Sequence, residues 1–214
     1  MPVLIYCVTD AAAKIELPAT GVHTTQLAAI EESGLRCTFS RYHQKAGAAG
    51  EPLREAAVEF NRVLQQVLEQ TAIVPFRFPT VLAEEADIAA LMREHASEYE
   101  ESLSRVHDAV QMEITITANP QDPTQMKSGK QYLQARGAMY RKLEDAALNV
   151  QRLTADSLRD WRRRELPSGI RCYALISRDA RAAFEQGVRR ATTPADVQMR
   201  VSGPWPASEF LKES

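Results

Sequence analysis

Val110-Gln111-Met112-Glu113-Ile114-Thr115-Ile116-Thr117 is the stretch on which the fold turns. Apolar side chains at 110, 112, 114 and 116 alternate with polar ones at 111, 113, 115 and 117, the period of two that marks a half-buried strand. Before it, residues 84–106 carry Ile88, Leu91, Met92, Tyr99, Leu103 and Val106 at helical spacing. After it, beyond a loop with Pro120 and Pro123, Tyr132, Met139, Ala146 and Leu153 recur every seven residues, with Leu143 and Val150 between them and Trp161 near the end. A strand held between helical segments predicts a mixed α and β protein.

Working outward, residues 129–165 read as one helix, on the order of 54 Å long at 1.5 Å per residue. From Lys127 to Glu165 this stretch has ten basic and five acidic residues, whereas Glu84 to Arg105 has seven acidic residues against two arginines. Opposite charge beside apolar seams predicts that the two helices pair as an antiparallel hairpin. Residues 170–177 and 197–202 read as further strands, with a short helix between them that turns Ala180, Ala183, Phe184, Gly187 and Val188 inward.

Toward the N-terminus, Val3 to Val8 is apolar at every position, as expected for a strand covered on both faces. Residues 27–32 and 35–41 predict a hairpin, with Ser33-Gly34 as its turn. Leu53, Ala56, Ala57, Phe60, Val63, Leu64, Val67 and Leu68 then define an amphipathic helix of about five turns, with Pro52 suited to its first turn. Residues 72–78 resume as a strand that ends at Pro79. No internal sequence repeat is visible, although both halves mix strands and helices in a ferredoxin-like manner.

The chain has 214 residues, 44% of them hydrophobic and 25% charged, with a net charge of −2. It is long enough for one large domain or two small ones, and its field does not favour polyanions. Three cysteines with no CxxC pair fit a reducing compartment better than a disulfide framework. The apolar run at the N-terminus is too short for a signal core or a membrane span, which predicts a cytoplasmic protein without a membrane partner.

Catalytic patterns are missing. There is no GxSxG elbow, GxGxxG, phosphate loop or HExxH. Lys45, Gly47 and Gly50 precede a helix at a spacing that fits a flexible connector. His23, His43, His95 and His107 are scattered, whereas a zinc site needs three or four convergent ligands. Cys7, Cys37 and Cys172 sit at apolar strand positions and read as inert buried thiols. Arg159, Arg162, Arg163 and Arg164 around Trp161 read as the cationic end of the long helix, with the indole packed inward, in preference to a nucleic-acid patch.

Two proline-marked aromatic segments remain. Ile73-Val74-Pro75-Phe76-Arg77-Phe78-Pro79 predicts an edge strand with Phe76 and Phe78 on one face and Arg77 on the other. Ser202-Gly203-Pro204-Trp205-Pro206-Ala207-Ser208-Glu209-Phe210 holds a large ring on a stiff backbone. Phe76, Arg77, Phe78, Trp205 and Phe210 are thus candidates either for closing the core or for anchoring a partner protein.

At these residues the chain resembles the gas vesicle protein GvpF/GvpL family. SGPWPASEF at 202–210 resembles the family's closing (T/S)GPWPPYxF signature, and VPFRFPTV at 74–81 resembles its VPVRFGTV segment. SGKQYL at 128–133, LIYCV at 4–8 and VQMEITI at 110–116 are similar to its GGxxYL, YLYGIV and VEWGVKV segments, in family order. The resemblance implies an N-terminal ferredoxin-like domain and a C-terminal α/β domain with long paired helices. The corresponding division is a domain at 1–83, an acidic connecting helix at 84–109 and a second domain at 110–214. It also implies an accessory or minor structural role in building the gas vesicle, through contacts with the small shell protein and other accessory proteins. No catalytic, cofactor-binding or metal-binding residue comes with it. A small-molecule-binding protein or enzyme with a cleft between its halves is the alternative, and the oligomeric state stays open.

Overall fold

Val3–Asp10 forms β1, and its six apolar residues Val3 to Val8 are completely buried, as the unbroken apolar run requires. The computed structural model describes residues 1–42, 51–118 and 128–211. The loop of Lys45, Gly47 and Gly50, His43, and Pro120 with Pro123 lie outside the described residues.

Leu27–Glu32 (β2) and Leu35–Arg41 (β3) pair antiparallel with Glu32 opposite Leu35. Ser33 and Gly34 both have positive φ, 54° and 75°, which is the backbone a two-residue hairpin turn demands. Strand β3 also pairs with β1, and Val74–Pro75 (β4) and Val81–Leu82 (β5) pair with the other edge of β1. The main path of this sheet is β2-β3-β1-β4.

Helix α1, Glu51–Leu68, covers one face of this sheet. Its Phe60 is 1% exposed and stacks on Tyr6 with ring centroids 4.9 Å apart. The Tyr6 hydroxyl is hydrogen-bonded to Ser40 Oγ at 3.0 Å and accepts from the Val22 amide at 2.9 Å. The opposite face is covered by the acidic stretch, which forms two helices, Glu85–Glu94 (α2) and Ala96–Arg105 (α3), where one was expected. The break is at His95, whose φ of −109° and ψ of 16° leave the helical region and whose Nδ1 lies 3.2 Å from Glu98 Oε2. Ile88, Met92, Tyr99 and Leu103 pack with Val3, Ile5, Val8 and Phe39 in one core. These helices are therefore part of the first unit's core, where the sequence reading made them a connector.

The chain divides into two compact units, Met1–Asp108 with Pro206–Ser214, and Ala109–Trp205. In the second, Ala109–Ala118 forms β6, as its alternation predicts, though Gln111 on the polar side is buried. Helix α4 runs only from Gly129 to Leu153, capped by Ser128 Oγ, which accepts from the Gln131 amide at 3.3 Å. The expected helix to residue 165 is overturned. Thr154 ends α4, donating from Oγ1 to the Val150 carbonyl at 2.9 Å, and Leu158–Leu166 becomes strand β7. Gly169–Ser177 (β8), helix Arg181–Arg190 (α5) and Val197–Trp205 (β9) complete the unit.

The second sheet has the order β7-β8-β6-β9, every neighbour antiparallel. The apolar seam of α4, Leu143, Ala146, Ala147 and Val150, is buried, and the helix packs on β6, β8 and α5. The predicted hairpin of acidic and basic helices is thus corrected: α2, α3 and the C-terminal half of α4 bury their seams against their own sheets.

Phe60→Ala should lower the unfolding free energy by about 3–5 kcal/mol, because it opens a cavity beside Tyr6 and Phe78. Leu53→Ala, exposed on the same helix, should change it by less than about 0.5 kcal/mol. Urea unfolding followed by circular dichroism reads both, and equal small losses would place the Phe60 ring outside the core.

Candidate partner-binding segments

The first proline-marked segment is an interrupted edge. Val74–Pro75 pairs with Cys7 and Val8, and the Phe76 amide donates to the Tyr6 carbonyl at 2.9 Å. Pairing resumes where the Ile5 amide donates to the Thr80 carbonyl at 3.1 Å. Between these bonds the chain turns outward through the cis bond Phe78-Pro79, and Thr80 Oγ1 donates to the Arg77 carbonyl at 2.6 Å.

This turn separates the two rings that a continuous strand would place on one face. Phe76 meets the α3 side, edge-to-face with Tyr99 at 6.2 Å. Phe78 meets the α1 side, tilted against Phe60 at 5.2 Å. Burial pushes the Tyr99 phenol up to about 12, so it stays neutral among these rings. Arg77, between them, is exposed. The segment therefore holds a cation outward on two half-buried aromatic anchors.

The second segment continues β9. Gln111 pairs with Trp205 and Glu113 with Ser202, so one strand carries an extra residue in this stretch. Gly203 takes up the distortion at φ 123°, and a Cβ there would meet the Gln111 carbonyl oxygen at 2.9 Å. The bond Gly203-Pro204 is cis. Trp205 Nε1 donates to Ser202 Oγ at 3.2 Å, and the indole is 38% exposed. Phe210, in a short turn at Ser208–Phe210, is completely buried. Of the five candidates, Phe210 is core, Phe76 and Phe78 are half-buried supports, and Arg77 and Trp205 are presented outward.

The basic run around Trp161 is distributed by the strand it belongs to. Trp161 and Arg163 lie opposite Ala174 and Cys172 of β8, and Arg163 Nη1 reaches Glu144 Oε2 of α4 at 2.7 Å. Arg162 and Arg164 alternate to the other face, where Arg164 lies 5.9 Å over the Tyr173 ring. The expected helix terminus is replaced by a strand whose cations are divided between two faces.

Burial pushes the Cys7 and Cys172 thiols up to about 12 and raises Cys37 as well, as inert thiols require. Among the described residues no group of three or more His, Cys, Asp or Glu is placed to hold a metal. No helix among them is long and apolar enough to cross a membrane. A groove between α5 and β9, about 400 Å³, is lined by Met112, Val188, Met199 and Val201. Its ionisable residues Glu185 and Arg189 are 3.5 Å apart in an i,i+4 ion pair.

These elements define a mixed α+β protein with two antiparallel sheets and five helices among the described residues. Its fold is similar to the crystal structure of gas vesicle protein GvpF from Microcystis aeruginosa, with a TM-score of 0.81, 13% identity and 99% of each chain covered. The crystal structure of gas vesicle protein GvpF from Anabaena sp. PCC7120 is equally similar, at 0.81 and 13%, covering 100% of this chain and 97% of that one. The family model of the gas vesicle synthesis protein GvpL/GvpF matches residues 2–212, and the chain belongs to this family. No curated protein sequence matches it.

At pH 8 an aromatic disulfide reagent should titrate essentially no thiol in the native protein and all three after unfolding in guanidinium. Rapid modification of a native thiol would show that one of them is open to solvent.

Proposed function

We propose that the chain is an accessory or minor structural protein of gas vesicle assembly, acting through contacts with the vesicle shell protein and other accessory proteins. The observation that carries this is the family match over residues 2–212. The two outward side chains, Arg77 and Trp205, support it. Arg and Trp are enriched among residues that dominate protein interfaces; here Arg77 lies between two half-buried rings and Trp205 Nε1 donates to Ser202 Oγ. Phe76 and Phe78 are read as the supports of Arg77, and Phe210 as part of the core of its own unit. The place of action is the gas vesicle within the cytoplasm.

The two units are read as ferredoxin-like domains. The second follows the order β-α-β-β-α-β with strands arranged β7-β8-β6-β9. The first has the same arrangement, β2-β3-β1-β4, with residues 11–26 in place of the first crossover helix. This reading assigns catalysis to no residue.

Deleting the gene in a vesicle-forming host should abolish or deform vesicles, and the tagged protein should capture the small shell protein. Trp205→Ala should weaken that capture by about tenfold, a loss of the size seen when an interface anchor is truncated, with the unfolding midpoint unchanged. Intact vesicles on deletion, together with no capture, would remove the assembly role.

A further inference from the structure

Helix α4 is buried along only half its length. Leu143, Ala146, Ala147 and Val150 are buried, whereas no residue from Gly129 to Lys142 is. Full burial of the helix stops close to one end of the sheet, and Tyr140 is the last of its residues to meet a strand, at Glu165 of β7. Lys142 Nζ lies 2.6 Å from Asp196 Oδ2, next to Val197, which pairs with Ala118 at the end of β6. Residues 129–141 lie N-terminal to that ion pair and extend α4 by about 20 Å at 1.5 Å per residue.

The less buried half keeps the face that the docked half buries: Ala135, Met139 and Tyr140 are half-buried there, with Tyr140 beside Glu165 of β7, and Tyr132, Leu133 and Arg136 are exposed. Tyr132, Ala135, Met139 and Leu143 follow each other at three- and four-residue steps, flanked by Leu133 and Tyr140. Tyr132 is 42% exposed and Leu133 67%. The stretch 129–143 has four basic residues, Lys130, Arg136, Arg141 and Lys142, and no acidic one. Arg136, four residues after Tyr132 and three before Met139, lies within the apolar face and is exposed.

We propose that this projecting half of α4 is a docking arm for an acidic amphipathic helix of a partner protein, which covers Tyr132, Leu133 and Met139 and sets a carboxylate against Arg136. The charge pattern selects this occupant. An arginine inside an apolar helix face is costly in the acyl region of a membrane, and a second copy of the same face would set Arg136 and Lys142 against like charges. A carboxylate matches the guanidinium fork and satisfies it as the apolar ring around it closes. The arm rests on the reading of this chain as a protein that grips other proteins, and it adds a surface to Arg77 and Trp205.

The test uses the full chain and a fluorescein-labelled synthetic helix with leucines along its seam and glutamates beside it, read by anisotropy. Wild type should bind, and Arg136→Glu and Leu133→Glu should each weaken binding by about tenfold or more at unchanged circular dichroism. Arg141→Glu removes the same charge from the far side of the helix and should shift binding by less than about twofold, since exposed charges away from a contact are screened. A peptide with lysines in place of the glutamates should bind Arg136→Glu better than wild type. Equal binding by Arg136→Glu and wild type, or no binding by wild type, overturns the proposal. So does binding of phosphatidylserine vesicles without the peptide, or a concentration-dependent dimer abolished by Leu133→Glu. Shell-protein capture measured on the same variants separates the readings: capture can fail while the peptide result holds, in which case only the assembly role falls.

Discussion

The first unit depends on burying β1 from both sides. Its six consecutive apolar side chains have no exposed surface, so helices must cover both faces of an antiparallel sheet that would otherwise keep one face wet. At roughly 1.5–3 kcal/mol per buried side chain, this strand contributes on the order of 10 kcal/mol, comparable to the net stability of a whole domain. The hairpin β2–β3 occupies one edge of β1, the interrupted edge from Val74 to Leu82 the other, α1 one face, and α2 with α3 the opposite face. Each of these elements buries its own apolar surface against the same strand. Arg77 is exposed for that reason: its flanking rings are drawn to opposite faces of a sheet that is dry on both sides.

Apart from β5, the strand arrangement is the same in the two sheets, although no repeat is visible in the sequence. Order in a sheet is fixed by short connections and by pairing between near neighbours in the chain, and neither needs matching residues. The same reasoning accounts for a TM-score of 0.81 to solved structures at 13% identity. The connections differ: α4 joins β6 to β7, whereas a loop with one short turn joins β1 to β2.

Where local chemistry and tertiary context agree, the fold was legible. Ser33-Gly34 required positive φ twice, the alternation of β6 required a sheet, and the spacing from Ala56 to Leu68 required a helix. Residues 158–166 were misread because Arg-Asp-Trp-Arg-Arg-Arg-Glu has good helix formers and no Gly or Pro to stop them. What makes them a strand is the free edge of β8, and arginines on both faces erase the period of two. His95 interrupts the acidic helix without any breaker residue, so its signal was also tertiary. The separation of Phe76 from Phe78 depends on the outward turn at 77–79, which a strand reading of the segment did not contain. Of the candidate site, the five side chains could be named from the sequence, and which of them are buried and which exposed could not. The long helix was half-read: its seven-residue repeat was seen, but the stretch after Leu153 was assigned to the same helix and became β7.

The presented groups have a common design. Arg77 stands between two half-buried rings, Trp205 follows a bulge at a glycine that no other residue replaces without strain, and Arg136 sits on a helix whose other half is locked to a sheet. In each case the supporting atoms are ordered by folding itself. In the proposed role, a partner would meet side chains carried on packed elements, which lowers the entropy that association otherwise spends. Burial also pushes the Cys7 and Cys172 thiols far from reactivity, and the ionisable residues Glu185 and Arg189 beside the α5–β9 groove are paired with each other. A frame with outward side chains on packed elements is suited to holding other chains in register, which is the physical content of the assembly role proposed for it.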